Sequence, residues 1–197
     1  GIAFSAVETL EGAADNEDLF IVEASGSLDG VMDGGDGGFD IMELQGGSFS
    51  SVEYLATGPT SGTVTRDGDV LTYDGLEPIT DNMDVANRVV DLSAVDDTAT
   101  MTEDGSGQLT IASTDPSGTV TFESVTFGKP SSSLTINLGE DLGVPFVSRD
   151  RLTVDGTGTA IDLSGIDLTI DGEAGKDEVV FEGTVTTGNL TVNAESI

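Results

Sequence analysis

The sequence predicts an all-β protein built as a β-solenoid, with a less regular middle that contains a hairpin. Three observations carry this prediction. A tetrapeptide that begins Leu-Thr and usually closes with Asp or Asn recurs along the chain. Aspartates repeatedly precede apolar residues at the second and fourth positions after them. The chain has no Trp and 27 Gly, mostly beside Asp, Ser or Thr, which favours thin β cores with many turns over helical packing.

The tetrapeptide has the alternation of a strand, because Leu and the third residue point to one face and Thr points to the other. Asp or Asn then stands where a turn begins. The copies start at Leu71, Leu109, Leu134, Leu152, Leu168 and Leu190. The last four starts are 18, 16 and 22 residues apart, which predicts one solenoid coil for each of these copies.

The second pattern marks the entry to strands. Asp18, Asp40, Asp150 and Asp177 each precede two apolar residues with a period of two, as in Asp177, Val179 and Phe181. We interpret each as an Asp-led turn that enters a strand. For the last copy, Leu168, Ile170, Val179 and Phe181 are expected to face inward.

Three other segments have local signals. Thr63 to Thr65 and Val70 to Tyr73 flank Asp67-Gly68, a favoured two-residue turn, and predict a hairpin. The β-branched residues between Asn82 and Val95 favour a strand over a helix. Ser5 to Gly12 is compatible with one or two turns of helix.

The domain prediction is one elongated β-solenoid over residues 1–197. It comprises N-terminal coils (1–50), a hairpin-containing middle (51–130) and more regular C-terminal coils (131–197). Lys129-Pro130, followed by three serines, is the nearest approach to a boundary, so the three regions are expected to share one core. The chain starts at Gly1 without a Met, which indicates a processed or excised piece of a longer chain.

Charge and composition exclude several function classes. The net charge is −31 with only six basic residues, so neither nucleic acid nor an anionic membrane surface is an expected partner. No apolar run approaches the length of a membrane span, so no membrane insertion is expected. Cys and His are absent, which removes thiol chemistry, the commonest general base and the usual zinc ligands. No catalytic residue is predicted, and the chain is expected not to be an enzyme.

Several stretches resemble a known class of protein. The segments starting "FSAVETLEGAADNEDLFIVEASG", "SGTVTRDGDVLTYDG" and "LTIDGEAGKDEVVFEG" are similar to parts of very large secreted bacterial adhesins and surface proteins. Those proteins combine hemolysin-type (RTX) nonapeptide turns with β-helical repeats. The resemblance implies a parallel β-helix and a structural or adhesive role, and it covers most of the chain.

The same resemblance raises the question of calcium. Residues 172–180 fit the nonapeptide G-G-x-G-x-D-x-U-x except that Glu173 replaces the second glycine. Asp171 and Asp177 in that turn, with Asp36 and Asp40 (and Asp33) in an earlier one, are therefore candidate Ca²⁺ ligands. Ca²⁺ needs six to eight oxygens, more than a single turn supplies. The alternative is that these residues only form corners, so no cofactor is required.

These observations predict a non-enzymatic extracellular module of a cell-surface protein. Ile2, Phe4, Val192 and Ile197 place apolar side chains near both ends, so end-to-end β-stacking with neighbouring copies or modules, including filaments, is expected. Surface glycans are a further candidate partner. One alternative is a carbohydrate-binding or carbohydrate-processing β-helix. Another is a calcium-stabilised RTX-type module of an exported toxin or adhesin.

Overall fold

The computed structural model describes residues 9–139 and 149–197, and over these ranges the chain is all-β, as predicted. The described residues contain no helix, and so none that could cross a membrane. The strands are β1 (Thr9–Glu11), β2 (Leu19–Glu23), β3 (Val31–Asp33), β4 (Ile41–Gly58), β5 (Ser61–Arg66), β6 (Asp69–Asp74), β7 (Ile79–Asp91), β8 (Thr98–Glu103), β9 (Gln108–Ser113), β10 (Val125–Gly128), β11 (Ser133–Asn137), β12 (Arg151–Leu163), β13 (Asp167–Asp171), β14 (Glu178–Thr187) and β15 (Leu190–Asn193).

The strands form one open sheet in which the hydrogen-bonded neighbours follow two rows. Row one runs β2, β4, β7, β10, β9, β8, β12 and β14. Row two runs β1, β3, β6, β5, β4, β7, β11, β13 and β15. Strands β4 and β7 belong to both rows, because their first residues pair in row one and their last residues pair in row two.

Glycines let β4 pass from one row to the other. The register between β4 and β7 shifts between Gln45 and Ser48. Gly46 and Gly47 lie in this interval with φ of 69° and 79°. Glycine adopts such angles without the steric penalty of a Cβ, so the strand bends here and keeps its pairing on both sides.

The recurring tetrapeptides are strands, and three of them stack in register. Leu134 aligns with Leu168, and Leu168 aligns with Leu190, in parallel pairs of row two. Leu152 instead aligns with Ala99 and Val179 in row one. The prediction of one coil for each copy is therefore wrong at Leu152. The 18- and 16-residue spacings carry the chain from one row to the other and back.

The middle of the chain departs from parallel pairing, as predicted. Strands β5 and β6 form the expected antiparallel hairpin, and Asp67 and Gly68 have φ of 47° and 95°. A second hairpin, β8 with β9, was not predicted. Its turn holds Asp104, whose Oδ1 accepts a hydrogen bond of 2.7 Å from the amide of Ser106. Strand β10 then pairs antiparallel with β9 and returns to parallel pairing with β7.

The weaker local signals have mixed outcomes. The strand prediction for Asn82 to Val95 is confirmed as far as Asp91, where β7 ends, and is wrong for residues 92–95. The helix prediction for Ser5 to Gly12 is wrong at β1, and its residues 5–8, like Ile2 and Phe4, lie outside the described residues. Lys129 pairs with Glu103 at 2.7 Å, and the amide of Ser131 donates to the carbonyl of Val85 at 2.9 Å. This serine-rich stretch is therefore bonded to the sheet.

Inward side chains from both rows build one hydrophobic cluster that extends from Met32 to Val179. Leu168, Ile170 and Val179 are at most 1% exposed, and Phe181 is half-buried at the edge of the cluster. Their predicted inward orientation is confirmed.

A buried ionic cluster interrupts this apolar core. Asp81 and Arg88 both have fully buried side chains, and Arg88 Nη1 pairs with Asp81 Oδ2. Tyr54 donates to the same carboxylate oxygen and accepts from Arg88 Nη1 at 2.6 Å. Arg88 also lies 5.0 Å from the ring centroid of Phe127 and donates to the carbonyl of Met83 at 3.0 Å. The buried charges are thus matched and hydrogen-bonded, as their desolvation requires.

Candidate functional sites: acidic turns, open ends and a glutamate pocket

The four candidate calcium ligands divide between two separate turns. Asp40 and Asp177 directly precede β4 and β14 and are buried, at 3% and 1% exposure. Asp171 ends β13 and is half-buried, whereas Asp36 is exposed. Strands β4 and β14 are six steps apart along row one, which corresponds to about 29 Å at about 4.8 Å a step. The structure therefore does not bring the two turns together.

The buried aspartates cap the backbone of neighbouring strands. Asp40 Oδ1 accepts from the amide of Asp18 at 2.7 Å. Asp150 Oδ1 accepts from the amide of Asp97 at 2.6 Å, and Asp177 Oδ1 accepts from the amide of Asp150 at 3.1 Å. Each donor is the residue just before a strand, so equivalent aspartates are linked from strand to strand. The predicted Asp-led entries to strands are confirmed.

Two glycines make room for these carboxylates. A Cβ added to Gly34 would lie 2.1 Å from the carbonyl oxygen of Gly75 and 2.9 Å from Asp40 Oδ2, and one added to Gly172 would lie 2.8 Å from Asp177 Oδ2. Real Cβ atoms do not approach oxygen so closely, so a larger residue would displace the carboxylate at either position and the backbone of Gly75 at the first. The Gly-rich appearance of these turns thus has a packing cause that needs no metal.

Part of the donor set in these turns is used by the protein itself, whereas the buried Asp177 Oδ2 accepts no hydrogen bond from the described residues. Asp171 Oδ1 accepts from the amide of Glu173 at 3.1 Å within its own turn. The amide of Asp177 in turn donates to Glu195 Oε2 at 2.9 Å. Over residues 9–139 and 149–197, no three acidic side chains converge in a group that could hold a metal ion. The geometry therefore favours the corner interpretation over a shell of six or more oxygens.

Burial raises the pKa of two of the aspartates that precede neighbouring strands. Desolvation raises the pKa of Asp97 and of Asp177 above the usual value. The hydrogen bonds of Ser93 to Asp97 and of the Asp150 amide to Asp177 oppose that rise. Asp97 was missed in the sequence, although Ala99 and Met101 follow it with the spacing seen after Asp177.

A pocket of about 330 Å³ lies where β7, β9 and β10 meet, and we call it the glutamate pocket. It contains two carboxyl groups, those of Glu77 and Glu123, beside Ser124. Its apolar lining is formed by Phe39, Pro78, Ala112, Val120 and Phe122. None of the lining residues is basic, so the pocket concentrates negative charge against an apolar wall.

Glu123 is the more constrained of the two acids. It is 8% exposed, and its Oε1 accepts from the amide and the hydroxyl of Ser124 at 2.7 and 2.9 Å. Burial raises the pKa of Glu123 to about 7, the Ser124 hydrogen bonds oppose this, and the adjacent Glu77 adds to it. Burial, followed by the charge of Glu123, also raises the pKa of Tyr73. The carboxyl of Glu123 therefore exchanges its proton near neutral pH.

The sequence held no signal for this pocket. Glu77 and Glu123 are 46 residues apart and belong to no common motif. They meet because β10 pairs in parallel with β7, which sets Val125 opposite Ile79. The amide of Ile79 donates to the carbonyl of Ser124 at 3.0 Å and fixes the two entering segments side by side.

Inward-facing side chains become exposed in the last strand of row two. The aligned residues Leu134, Leu168 and Leu190 are 0%, 1% and 50% exposed. Among the described strands, β15 pairs only with β13. In the first strand of row one, Phe20 in β2 is half-buried although its partner Met42 in β4 is fully buried. Both ends thus present strands with partly covered inward side chains.

No protein-family model, curated protein or solved structure matches this chain.

Proposed function

We propose that this chain is a structural, non-enzymatic module of an extracellular surface or adhesive protein. In this proposal it is a β-solenoid of parallel β-helix type whose end coils stack on further coils of the same kind. In a longer polypeptide those coils are the adjoining segments, and for the isolated chain they belong to a second copy. The likeness of its segments to secreted adhesins with β-helical repeats supports the extracellular setting.

The main support for the proposal is that Leu190, in the last strand of row two, is exposed. It occupies the same register position as Leu134 and Leu168, which their neighbours cover almost completely. One added strand beyond β15 would cover Leu190 in the way that β15 covers Leu168. Such a strand would also use the backbone hydrogen-bonding groups at the edge, which otherwise serve as a template for association.

The geometry of the ends favours filaments over closed dimers. One end presents β1 and β2, and the other presents β14 and β15. A contact between unlike ends is heterologous, and such contacts propagate unless a rotation closes them into a ring. The net charge of −31 opposes the approach of two copies, so association should strengthen with salt.

Light scattering coupled to size-exclusion chromatography tests stacking. In about 0.5 M NaCl, where the Debye length is about 4 Å, we expect the mean mass to rise with protein concentration. Leu190→Lys should weaken association about tenfold, or about 1.4 kcal/mol, because it puts a charge on the inward side of the edge strand. A series with a calcium chelator separates strand stacking from bridging by divalent ions.

Val95→Lys is the matched control. Val95 is 55% exposed and Leu190 is 50% exposed, so both variants make the same charge change at half-exposed positions. Val95 lies between β7 and β8, away from the end strands, so its variant should associate like the parent. A parent chain that stays monomeric up to about 1 mM, or equal effects of both variants, would contradict stacking through β15.

A further inference from the structure

We propose that the glutamate pocket binds a small organic ammonium ion, with the charged head between Glu77 and Glu123 and the apolar body against Phe39, Val120 and Phe122. The pocket plays no part in the stacking proposed above. It therefore assigns a second, independent binding function to the chain.

The size and shape of the pocket fit such a ligand. Its volume of about 330 Å³ is at the lower end of the range for small-molecule sites. Phe39 and Val120 are 49% and 46% exposed, yet they come from distant segments and line the same pocket. Phe122 is 2% exposed and forms a fixed apolar wall. Exposed apolar side chains that gather around a cavity mark a binding surface better than scattered ones do.

The carboxyl groups of the pocket favour a positively charged ligand. Two carboxyl groups share it, and none of its lining residues is basic. The charge of Glu77 disfavours the ionisation of Glu123, and a cation that pairs with both carboxylates relieves the repulsion and the cost of desolvation. Protein cations are engaged elsewhere: Arg66, Arg88 and Lys129 pair with Asp69, Asp81 and Glu103. No basic residue lines the pocket, so a cation that pairs with its carboxylates would come from outside the chain.

An organic ammonium suits this pocket better than a metal ion. Ca²⁺ needs six to eight oxygens, whereas most of this lining is apolar. An alkyl or aryl ammonium instead buries its carbon atoms against the walls, and the faces of phenylalanine rings attract cations. The field of a chain with a net charge of −31 also raises the local concentration of any cation near the pocket.

Binding is coupled to one proton. When Glu123 holds a proton it cannot pair with an ammonium, so the ligand displaces that proton to solvent. The groups that face Glu123 are the carboxyl of Glu77 and the phenol of Tyr73. Tyr73 stays protonated in the neutral range, because burial raises its pKa, so the ionisation of Glu123 sets the pH dependence of binding.

Amide NMR titration with benzylammonium chloride tests the proposal, with benzyl alcohol as the uncharged probe of the same shape. At about pH 8 we expect saturable shifts at the lining residues Ala112, Ser113 and Ser124, with a dissociation constant of about 1 mM. Benzyl alcohol should bind at least about tenfold more weakly. Equal binding of the two probes, or shifts that do not saturate, would overturn the proposal.

Matched variants locate the site. Glu123→Gln should weaken benzylammonium binding about tenfold or more, and Glu77→Gln should act in the same direction. Glu182→Gln removes the same charge at an exposed position in β14 and should leave binding unchanged. An equal loss in all three variants would show attraction to the overall charge only, and would overturn a specific site.

The unaltered protein provides a second test if a variant fails to fold. With a pKa of about 7, the ionised fraction of Glu123 falls about thirtyfold between pH 8 and pH 5.5. Affinity for benzylammonium should fall in parallel, while benzyl alcohol binding stays constant. An affinity for benzylammonium that does not change over this range would overturn the proposal.

Discussion

The carboxylates of Asp81 and Glu77 lie close together in the sequence but differ in whether the protein supplies a cation for them. Asp81 lies in β7 and is fully buried, but Arg88 neutralises its charge and Tyr54 donates a hydrogen bond to it. Glu77 lies four residues before Asp81, and it faces Glu123 in a pocket with no basic lining residue. The first arrangement is complete within the chain, and the second lacks its positive partner. Our proposal of a bound cation applies to the second arrangement only.

The largest effect should come from breaking the complete site. Arg88→Met leaves the Asp81 carboxylate buried without its cation, which should lower the free energy of unfolding by about 3–5 kcal/mol. Urea denaturation followed by circular dichroism measures this loss.

Arg151→Met is the control for that variant. Arg151 also pairs with a carboxylate, Glu178 at 3.2 Å, but the two side chains are 43% and 37% exposed. Solvent screens such a pair, so its loss should cost no more than about 1 kcal/mol. Equal losses in the two variants would mean that burial of the Asp81–Arg88 pair does not matter.

A smaller effect should come from an aspartate whose charge is matched by backbone amides. Asp40→Ala removes the acceptor of the Asp18 amide, held at 2.7 Å, and should cost about 2 kcal/mol. Asp36→Ala, in the same turn but exposed, should cost less than about 0.5 kcal/mol. Thermal unfolding with and without a chelator measures both. A calcium-dependent loss shared by both variants would contradict the corner interpretation and support a metal site.

The smallest effect should appear at the unmatched site, as a change in the pH dependence of stability. The pKa of Glu123 is about 7 in the folded chain and near 4.5 when unfolded, so its contribution to stability is complete below about pH 4.5 and is lost as pH rises through 7. Glu123→Gln should therefore be more stable than the parent by about 1 kcal/mol at pH 8, because solvent in the pocket screens part of the cost. Denaturant midpoints at about pH 5 and pH 8 measure this difference, and a gap independent of pH would contradict it.

The sequence predicts the local elements well because alternation and turn chemistry are local properties. Asp67-Gly68 favours the turn of its hairpin on its own, and the period of two after Asp177 identifies β14 and its inward face. Alternation shows that Leu152 points inward but does not show which row it joins. That choice depends on pairing with β8 and β14, which no local pattern encodes.

The candidate sites were harder to predict because they depend on register between distant strands. The acidic turns were visible as motifs, but only the structure shows that Asp40 and Asp177 cap neighbouring backbone amides. Burial of Arg88 could not be inferred from its neighbours, since it follows from the crossing of β7 between β4 and β11. The glutamate pocket depends on the pairing of β7 with β10, across 46 residues, and neither segment alone contains a motif that predicts it.

The burial of arginine side chains also limits where a peptidase can cleave the folded protein. A peptidase that cleaves after Lys or Arg has five places to cut in 197 residues, because Lys129 precedes Pro130 and a Lys–Pro bond resists cleavage. Arg66 and Arg88 are at most 2% exposed, and Lys129 is held in an ion pair with Glu103. The side chain of Arg151 is 43% exposed but belongs to strand β12, whereas the exposed Arg149 and Lys176 lie in the turns just before β12 and β14. Limited trypsin treatment should therefore cut first after Arg149 and Lys176 and leave residues 1–149 as one long fragment.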